Sequence, residues 1–307
     1  MHHLPTTKQL RYFVALEQIG HFGRAAEACY VSQPAFSVAI RELESTLNIQ
    51  LVDRTNKNVT VTNLGRQIAV RARQVLRDLE ELVDIAQGNQ QPLSGQLKLG
   101  VIPTIAPFLL PRLLPALRKA YPDLKLYLKE DLTERVYTLL MDGELDIILI
   151  ALPYDLRNVS ELPLFKDRFH LAHQAKSALV PKDARQVSDL PEDSILLLED
   201  GHCLRDHALS ACSINNADKV SDITATSLLT LVQMVDADLG VTYLPEMAIG
   251  SSLLKNTRIK TTPLDKDSFR EVGLVWRRAS TRGEEFELLG NFIKQSYLAG
   301  KADADAS

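Results

Sequence analysis

Two of the three cysteines in this 307-residue chain fall in a single stretch, Gly201-His202-Cys203-Leu204-Arg205-Asp206-His207-Ala208-Leu209-Ser210-Ala211-Cys212. It reads as a helix start: Asp200 is a cap, Gly201 a turn, and Leu204 to Cys212 holds no breaker. Cys203 then falls in the first helical turn, at the positive end of the helix dipole and close in sequence to Arg205, His202 and His207. Those conditions lower a thiol pKa and make the sulfur a nucleophile. A nine-residue helical spacing separates the two sulfurs by roughly 13 Å of rise and sets them on opposite faces. A disulfide needs Cα atoms about 4.4–6.8 Å apart. If the stretch is helical when reduced, joining Cys203 to Cys212 would require unwinding it, which is the basis of a redox switch. Two blander readings fit the same residues. Both cysteines would serve as small buried hydrophobes, or His202, Cys203, His207 and Cys212 would hold a metal. The set lacks CxxC or HExxH spacing, so no metal and no other cofactor is expected.

The elements that must position this stretch alternate in type. Leu97–Ile102, Leu124–Leu128 and Leu145–Ala151 read as strands, with helices over about 108–120 and 133–141 between them. Strand-helix-strand alternation implies a doubly wound α/β domain with ligand groups at the carboxyl ends of its strands. Thr104 and Thr133 stand at such ends. A second unit begins near Phe165–His170. It includes the strand Ile195–Leu198, the cysteine helix, a piece around Ile223–Ala225, a helix over 227–236 and the strand Val241–Leu244. Val272–Trp276 and a helix over 284–297 return to the first unit, and residues 301–307 read as a disordered tail.

The N-terminal third differs. Apolar residues at Leu10, Phe13, Val14, Leu16 and Ile19 form a helical stripe that Gly20 closes. A short helix over 23–29 follows, with Ala25 and Ala26 permitting close helix approach and Cys29 expected to be buried for structural reasons. Tyr30-Val31 turns the chain, Ser32 caps a third helix and Pro34 suits its first turn. This is the pattern of a helix-turn-helix. Leu51–Arg54 and Asn58–Thr62 read as a hairpin wing, and a helix over about 63–87 carries an apolar stripe that needs a partner, so it is expected to dimerise. Residues 88–95 read as a linker. The expected divisions are 5–62 (winged helix-turn-helix), 63–92 (linker and dimerisation helix), 93–300 (α/β regulatory domain) and 301–307 (tail).

Charge follows the same division. The net charge is −4, but residues 1–77 hold ten Lys/Arg against five Asp/Glu, which leaves −9 on the remainder. A basic first part on an acidic body points to a polyanion partner for that part alone. Hydrophobic content of 45% and charged content of 24% are ordinary for a globular chain. No apolar run reaches the ~20 residues that span a membrane, and Met1-His2-His3-Leu4-Pro5 has no signal-peptide pattern. The expected location is the cytoplasm, where cysteines rest reduced and a disulfide would be transient. No hydrolase elbow, P-loop or dinucleotide fingerprint suggests a turnover enzyme.

The residues Phe22-Gly23-Arg24-Ala25-Ala26, Val31-Ser32-Gln33-Pro34-Ala35-Phe36-Ser37, Ile40-Arg41-Glu42-Leu43-Glu44, Arg54 and Val61-Thr62-Asn63-Leu64-Gly65 resemble the winged helix-turn-helix of LysR-type transcriptional regulators. His21 stands where a Ser is usual, and Leu51-Val52-Asp53-Arg54 where many members have a Phe. The later part resembles that family's effector domain, a periplasmic-binding-protein-like pair of subdomains. Gly201-His202-Cys203-Leu204-Arg205-Asp206 with Cys212, Ile102-Pro103-Thr104, and Leu197-Leu198-Glu199-Asp200 resemble its hydrogen-peroxide-sensing members. That resemblance implies a peroxidatic Cys203 oxidised to a sulfenic acid, a Cys203–Cys212 disulfide, and a peroxide pocket of Thr104, Thr133, His202 and Arg270. It also implies a homotetramer, a dimer of dimers, that binds operator DNA, redirects RNA polymerase to antioxidant-response genes, and is reset by glutaredoxin or thioredoxin. DNA contacts are expected from Ser32, Gln33, Pro34, Ala35, Ser37, Val38 and Arg41, where Gln suits adenine and apolar groups suit thymine methyls. Arg54 and Lys57 on the wing suit phosphate or the minor groove. The alternative is a member of the same family that answers a small organic metabolite and has structural cysteines.

Overall fold

A computed structural model describes residues 4–54, 59–86, 91–180, 189–211 and 217–305. Cys212 and Lys57 therefore lie outside the described residues, as does the side chain of Arg54. The chain forms two compact units, one up to Gln91 together with Met141–Glu144, the other comprising Pro92–Leu140 and Leu145 onward.

In the first unit, α1 (Thr7–Ile19) starts at a capping box. The Thr6 hydroxyl accepts from Gln9 N–H at 3.2 Å and the Gln9 side chain accepts from Thr6 N–H at 2.9 Å. Gly20, at φ +67°, closes the helix in the left-handed region where glycine costs least. α2 (Phe22–Ala28) is capped by His21, whose Nδ1 accepts from Arg24 N–H at 3.3 Å. Imidazole here performs the capping usually given to a serine hydroxyl. α3 (Gln33–Leu47) begins after Ser32 and has Pro34 in its first turn, but the Ser32 side chain makes no capping bond. Phe13, Leu16, Ala25, Ala26, Phe36, Ile40 and Leu43 form the core, and Tyr12 stacks on Phe36 with ring centroids 5.0 Å apart.

β1 (Val52–Arg54) and β2 (Val59–Val61) pair antiparallel as the wing. The Glu44 carboxylate accepts from the N–H groups of Leu51 and Val52 at 2.9 and 3.2 Å, tying the wing to α3. α4 (Asn63–Ala86) starts at Thr62, whose hydroxyl accepts from Gly65 N–H at 2.9 Å, and the Arg73–Glu17 ion pair at 2.8 Å fixes it to α1. Leu64, Val75, Leu79, Leu82 and Val83 of α4 stay exposed.

The second unit is built on β3 (Gly95–Val101), α5 (Ala106–Ala120), β4 (Leu124–Glu130), α6 (Thr133–Met141), β5 (Ile147–Leu152) and β6 (Val159–Gln174). Next come β7 (Ile195–Leu198), α7 (Cys203–Ala211), β8 (Val220–Ala225), α8 (Leu228–Asp236), β9 (Thr242–Pro245), α9 (Glu246–Ile249), β10 (Ile259–Pro263), β11 (Phe269–Arg277) and α10 (Gly283–Asp305). β4, β3 and β5 are parallel, and β11 lies antiparallel between β5 and β6. β6 then continues into a second sheet, pairing with β10 and β9, while β7 pairs with β8 and bridges to Val241. One long strand thus serves two subdomains. All six residues of β5 are buried, as a strand covered on both faces requires.

Two expectations change. α10 runs to Asp305, into the stretch expected to be disordered, because Lys301-Ala302-Asp303-Ala304-Asp305 contains no breaker that would end the helix. The cysteine helix begins at Cys203, and Asp200 is not its cap. Asp200 instead pairs with Arg205 Nε at 3.1 Å.

Gly65 has a packing reason. A Cβ there would stand 2.3 Å from Leu51 O and 2.8 Å from Val61 Cγ1. Gly65→Ala is expected to destabilise the first unit by about 1–3 kcal/mol through overpacking against backbone that cannot yield. Urea unfolding of the variant beside the parent checks this.

Candidate functional site

Cys203, a free thiol 5% exposed, is the first residue of α7. Gly201 precedes it at φ +92°, a conformation that lets the chain leave β7 and enter the helix directly. The carboxyl ends of the parallel strands face it. Thr133, the first residue of α6 after β4, is 1% exposed, and its Oγ1 has no hydrogen-bond partner in the resting geometry. That hydroxyl is also the side chain that would stabilise a Cys203 thiolate by hydrogen bonding, together with the Ala151 backbone amide at the end of β5.

Behind the thiol lies Arg270, on β11 and 1% exposed. Its Nη1 donates to Thr104 Oγ1 at 2.9 Å and its Nη2 to Thr104 O at 2.8 Å. Nε and Nη2 both lie 3.0 Å from Asp167 Oδ2, and Nη2 also reaches Met247 Sδ at 3.4 Å. Asp167 Oδ1 accepts from Met247 N–H at 3.0 Å. Arg270 and Asp167 are cross-strand partners in the β11–β6 ladder, directly opposite one another.

The electrostatics correct the expected low thiol pKa. Burial pushes the Cys203 thiol above its ordinary value, and this outweighs the Thr133 hydroxyl, the Arg270 charge and the Ala151 amide, which pull it down. Asp206, on the same helix, adds to the rise. The helix dipole and the Arg270 charge favour the thiolate, but desolvation is the larger effect at this depth. Burial likewise pushes the Asp167 carboxyl up, against Arg270 and the Met247 N–H. The hydrogen-bonding groups that reach Asp167 are all donors, which fits its ionised form. Burial lowers the His207 pKa, and its Nε2 lies 2.9 Å from Pro153 O while Nδ1 is buried without a partner. The Tyr154 hydroxyl is pushed up by burial first, then by Glu134, Cys203 and Asp206.

The structure brings Cys203, Thr133, Thr104 and Arg270 into one neighbourhood. His202 directly precedes α7 and is half-buried, but its ring makes no hydrogen bond or ion pair among the described residues. Asp167 was not anticipated from sequence. Its signal is present, because Phe165, Asp167 and Phe169 alternate onto one buried face of β6, and a carboxylate there requires a buried donor. Among the described residues no group of three His, Cys, Asp or Glu is placed to hold a metal, and no helix is long and apolar enough to cross a membrane.

The first unit carries a separate surface. Ser32, Gln33, Pro34, Ala35, Val38 and Arg41 are exposed and Ser37 is half-buried, on the side of α3 away from Phe36, Ile40 and Leu43. Arg41 Nε donates to Ser37 O at 3.4 Å, which leaves its side chain lying along the helix surface.

A winged helix-turn-helix with a long helix, followed by a two-subdomain α/β module, is the architecture of a bacterial transcription regulator with a built-in sensory domain. Residues 7–66 match the model of the bacterial regulatory helix-turn-helix protein, lysR family, and residues 90–297 that of the LysR substrate binding domain. The chain belongs to the LysR family of transcriptional regulators. It is 38% identical to the HTH-type transcriptional regulator EstR of Acinetobacter baylyi, covering 95% of this chain and 97% of the relative. It is 36% identical to the hydrogen peroxide-inducible genes activator of Dickeya chrysanthemi, covering 94% of each. A full-length OxyR variant from Pseudomonas aeruginosa superposes with a TM-score of 0.80 at 36% identity, covering 95% of this chain and 96% of that one.

A raised thiol pKa has a kinetic signature. Alkylation of Cys203 by iodoacetamide, read by mass spectrometry of its peptide, is expected to rise about tenfold per pH unit between about pH 6 and 8. A plateau in that window would mean a thiolate at rest.

Proposed function

We propose that this LysR-family regulator senses hydrogen peroxide through Cys203 and transmits its oxidation to operator DNA bound by the first unit. The observation that carries the reading is the pairing of a buried free thiol with the unpartnered buried hydroxyl of Thr133, in front of a guanidinium held by Thr104. A small, neutral oxidant that is both donor and acceptor suits such a site. The thiolate attacks one peroxide oxygen and the O–O bond breaks. The second oxygen leaves as hydroxide and takes a proton to become water, so the sulfur is oxidised to a sulfenic acid. Thr104, Thr133, Arg270 and His202 are the peroxide-binding set in this reading.

Cys212 supplies the second step. Its thiolate attacks the sulfenyl sulfur, hydroxide leaves and is protonated to water, and a Cys203–Cys212 disulfide forms. α7 extends from Cys203 to Ala211, so bringing the two sulfurs together requires it to unwind. Loss of that helix is the conformational signal, and a glutaredoxin or thioredoxin resets it by thiol exchange. The regulator works in the cytoplasm as a homotetramer, a dimer of dimers, with RNA polymerase as the downstream partner. Ser32, Gln33, Pro34, Ala35, Ser37, Val38 and Arg41 read the major groove, and Arg54 and Lys57 contact the backbone or minor groove. The similarity to a regulator named for peroxide-inducible genes supports this reading.

Thiol-trapping gels with and without peroxide, run beside operator footprints of the same samples, test the sensing claim. Cys203→Ser is expected to lose the peroxide-dependent footprint change, and Cys212→Ser to accumulate sulfenic acid without disulfide. A Cys203→Ser protein that still responds would refute the reading, and a parent protein whose footprint peroxide does not change would favour a metabolite-responsive regulator. For the DNA face, Gln33→Ala is expected to weaken operator binding by about 1–3 kcal/mol while binding to unrelated DNA is retained, measured by gel shift at fixed salt.

A further inference from the structure

Arg270 has five N–H donors in a planar fork, and the structure divides them unequally. Nε and Nη2 form the edge facing Asp167 Oδ2, each at 3.0 Å. Nη2 also meets Thr104 O at 2.8 Å and Met247 Sδ at 3.4 Å. Nη1 has one partner among the described residues, Thr104 Oγ1 at 2.9 Å. That accounts for four donors and leaves one Nη1 proton that no described residue accepts. Because Thr104 Oγ1 accepts from Nη1, its own proton is free to donate. Two unused donors therefore sit on atoms 2.9 Å apart, at the pole of the guanidinium turned away from Asp167.

We propose that Asp167 is a positioning residue for the sensing reaction, holding the guanidinium by its Nε–Nη2 edge so that Nη1 and the Thr104 hydroxyl present their free protons to the oxidant at Cys203. The proposal rests on the peroxide-sensing reading above. Asp167 is itself fixed on both sides, opposite Arg270 in the strand ladder and through Oδ1 to the Met247 N–H, and both side chains of the pair are fully buried. A guanidinium free to swing would still supply charge, but not two aligned donors. Alignment matters when the peroxide O–O bond breaks, because negative charge then develops on the departing oxygen and donors already in place stabilise it. Alkylation of the same thiol needs the thiolate and no oxygen-directed donors, so it reports on the thiolate alone.

The test compares two rates on the purified full chain carrying Cys212→Ser, so that Cys203 stops at the sulfenic acid. One is oxidation by hydrogen peroxide, the other alkylation by iodoacetamide, each corrected for the thiolate fraction from its own pH profile and read on the Cys203 peptide. Asp167→Asn is expected to slow the peroxide rate per thiolate by about tenfold or more while alkylation per thiolate stays within about twofold. A merely structural loosening would move both rates together. Arg270→Lys keeps the charge without the planar fork and is expected to show the same selective loss, which decides the matter if Asp167→Asn does not fold. An unchanged peroxide rate per thiolate in either variant, or equal changes in both rates, overturns the proposal. A parent protein whose Cys203 shows no preference for peroxide over iodoacetamide would instead overturn the sensing reading itself.

Discussion

Arg270 carries a positive charge in a place where water cannot hold it, and Asp167 lies directly across the strand ladder to do so instead. Taking either ion out of water costs several kcal/mol, and removing one partner of such a pair typically costs about 3–5 kcal/mol. The pair also sits where β6 passes from one sheet to the other, and the Met247 amide that completes it belongs to the short helix following β9. Both subdomains therefore contribute to a single buried polar cluster. The cationic charge acting on the thiol depends on that cluster, because among the described residues Arg270 is the cation that shifts Cys203.

The thiol itself is governed by competition. Depth raises its pKa, and the hydroxyl, the amide and the guanidinium oppose the rise without cancelling it. A resting thiol of this kind is protected from general alkylating or oxidising chemistry. Its reactivity is then governed by how a reagent can use the surrounding donors, rather than by a permanently exposed thiolate. The DNA-binding unit obeys a simpler rule. Local capping by Thr6, His21 and Thr62, together with the Glu44 clamp on the wing, fixes each element relative to its neighbour, leaving the outer side of α3 free for contact.

Elements whose causes are local were legible in the sequence. The stripe Leu10, Phe13, Leu16, the Gly20 stop and Pro34 in a first turn define the first three helices because each signal acts within a turn or two of the chain. Alternation of strand and helix likewise revealed the α/β module, though not that β6 would run through two sheets. The cysteine neighbourhood was different. Thr104, Thr133 and Arg270 are ordinary residues until long-range folding brings them together, so only resemblance to a family pointed to them. The thiol pKa was misjudged because dipole and neighbouring charges can be read from sequence whereas depth cannot. Asp167 was missed although a carboxylate between Phe165 and Phe169 on one strand face is a local anomaly. The end of α10 was misjudged because a charged, alanine-rich terminus satisfies both a helix and a tail.

The position of β11 has a consequence for the life of the newly made chain. It follows the other strands of its sheet in sequence, yet it lies between β5 and β6 rather than at an edge. Arg270 leaves the ribosome on the order of 70 residues after Cys203, which at about 5–20 residues per second is a delay of several seconds. Until β11 inserts, the first sheet has an open slot and the thiol has no guanidinium beside it. A nascent chain thus carries its thiol without this charged neighbour until β11 has emerged and paired between β5 and β6.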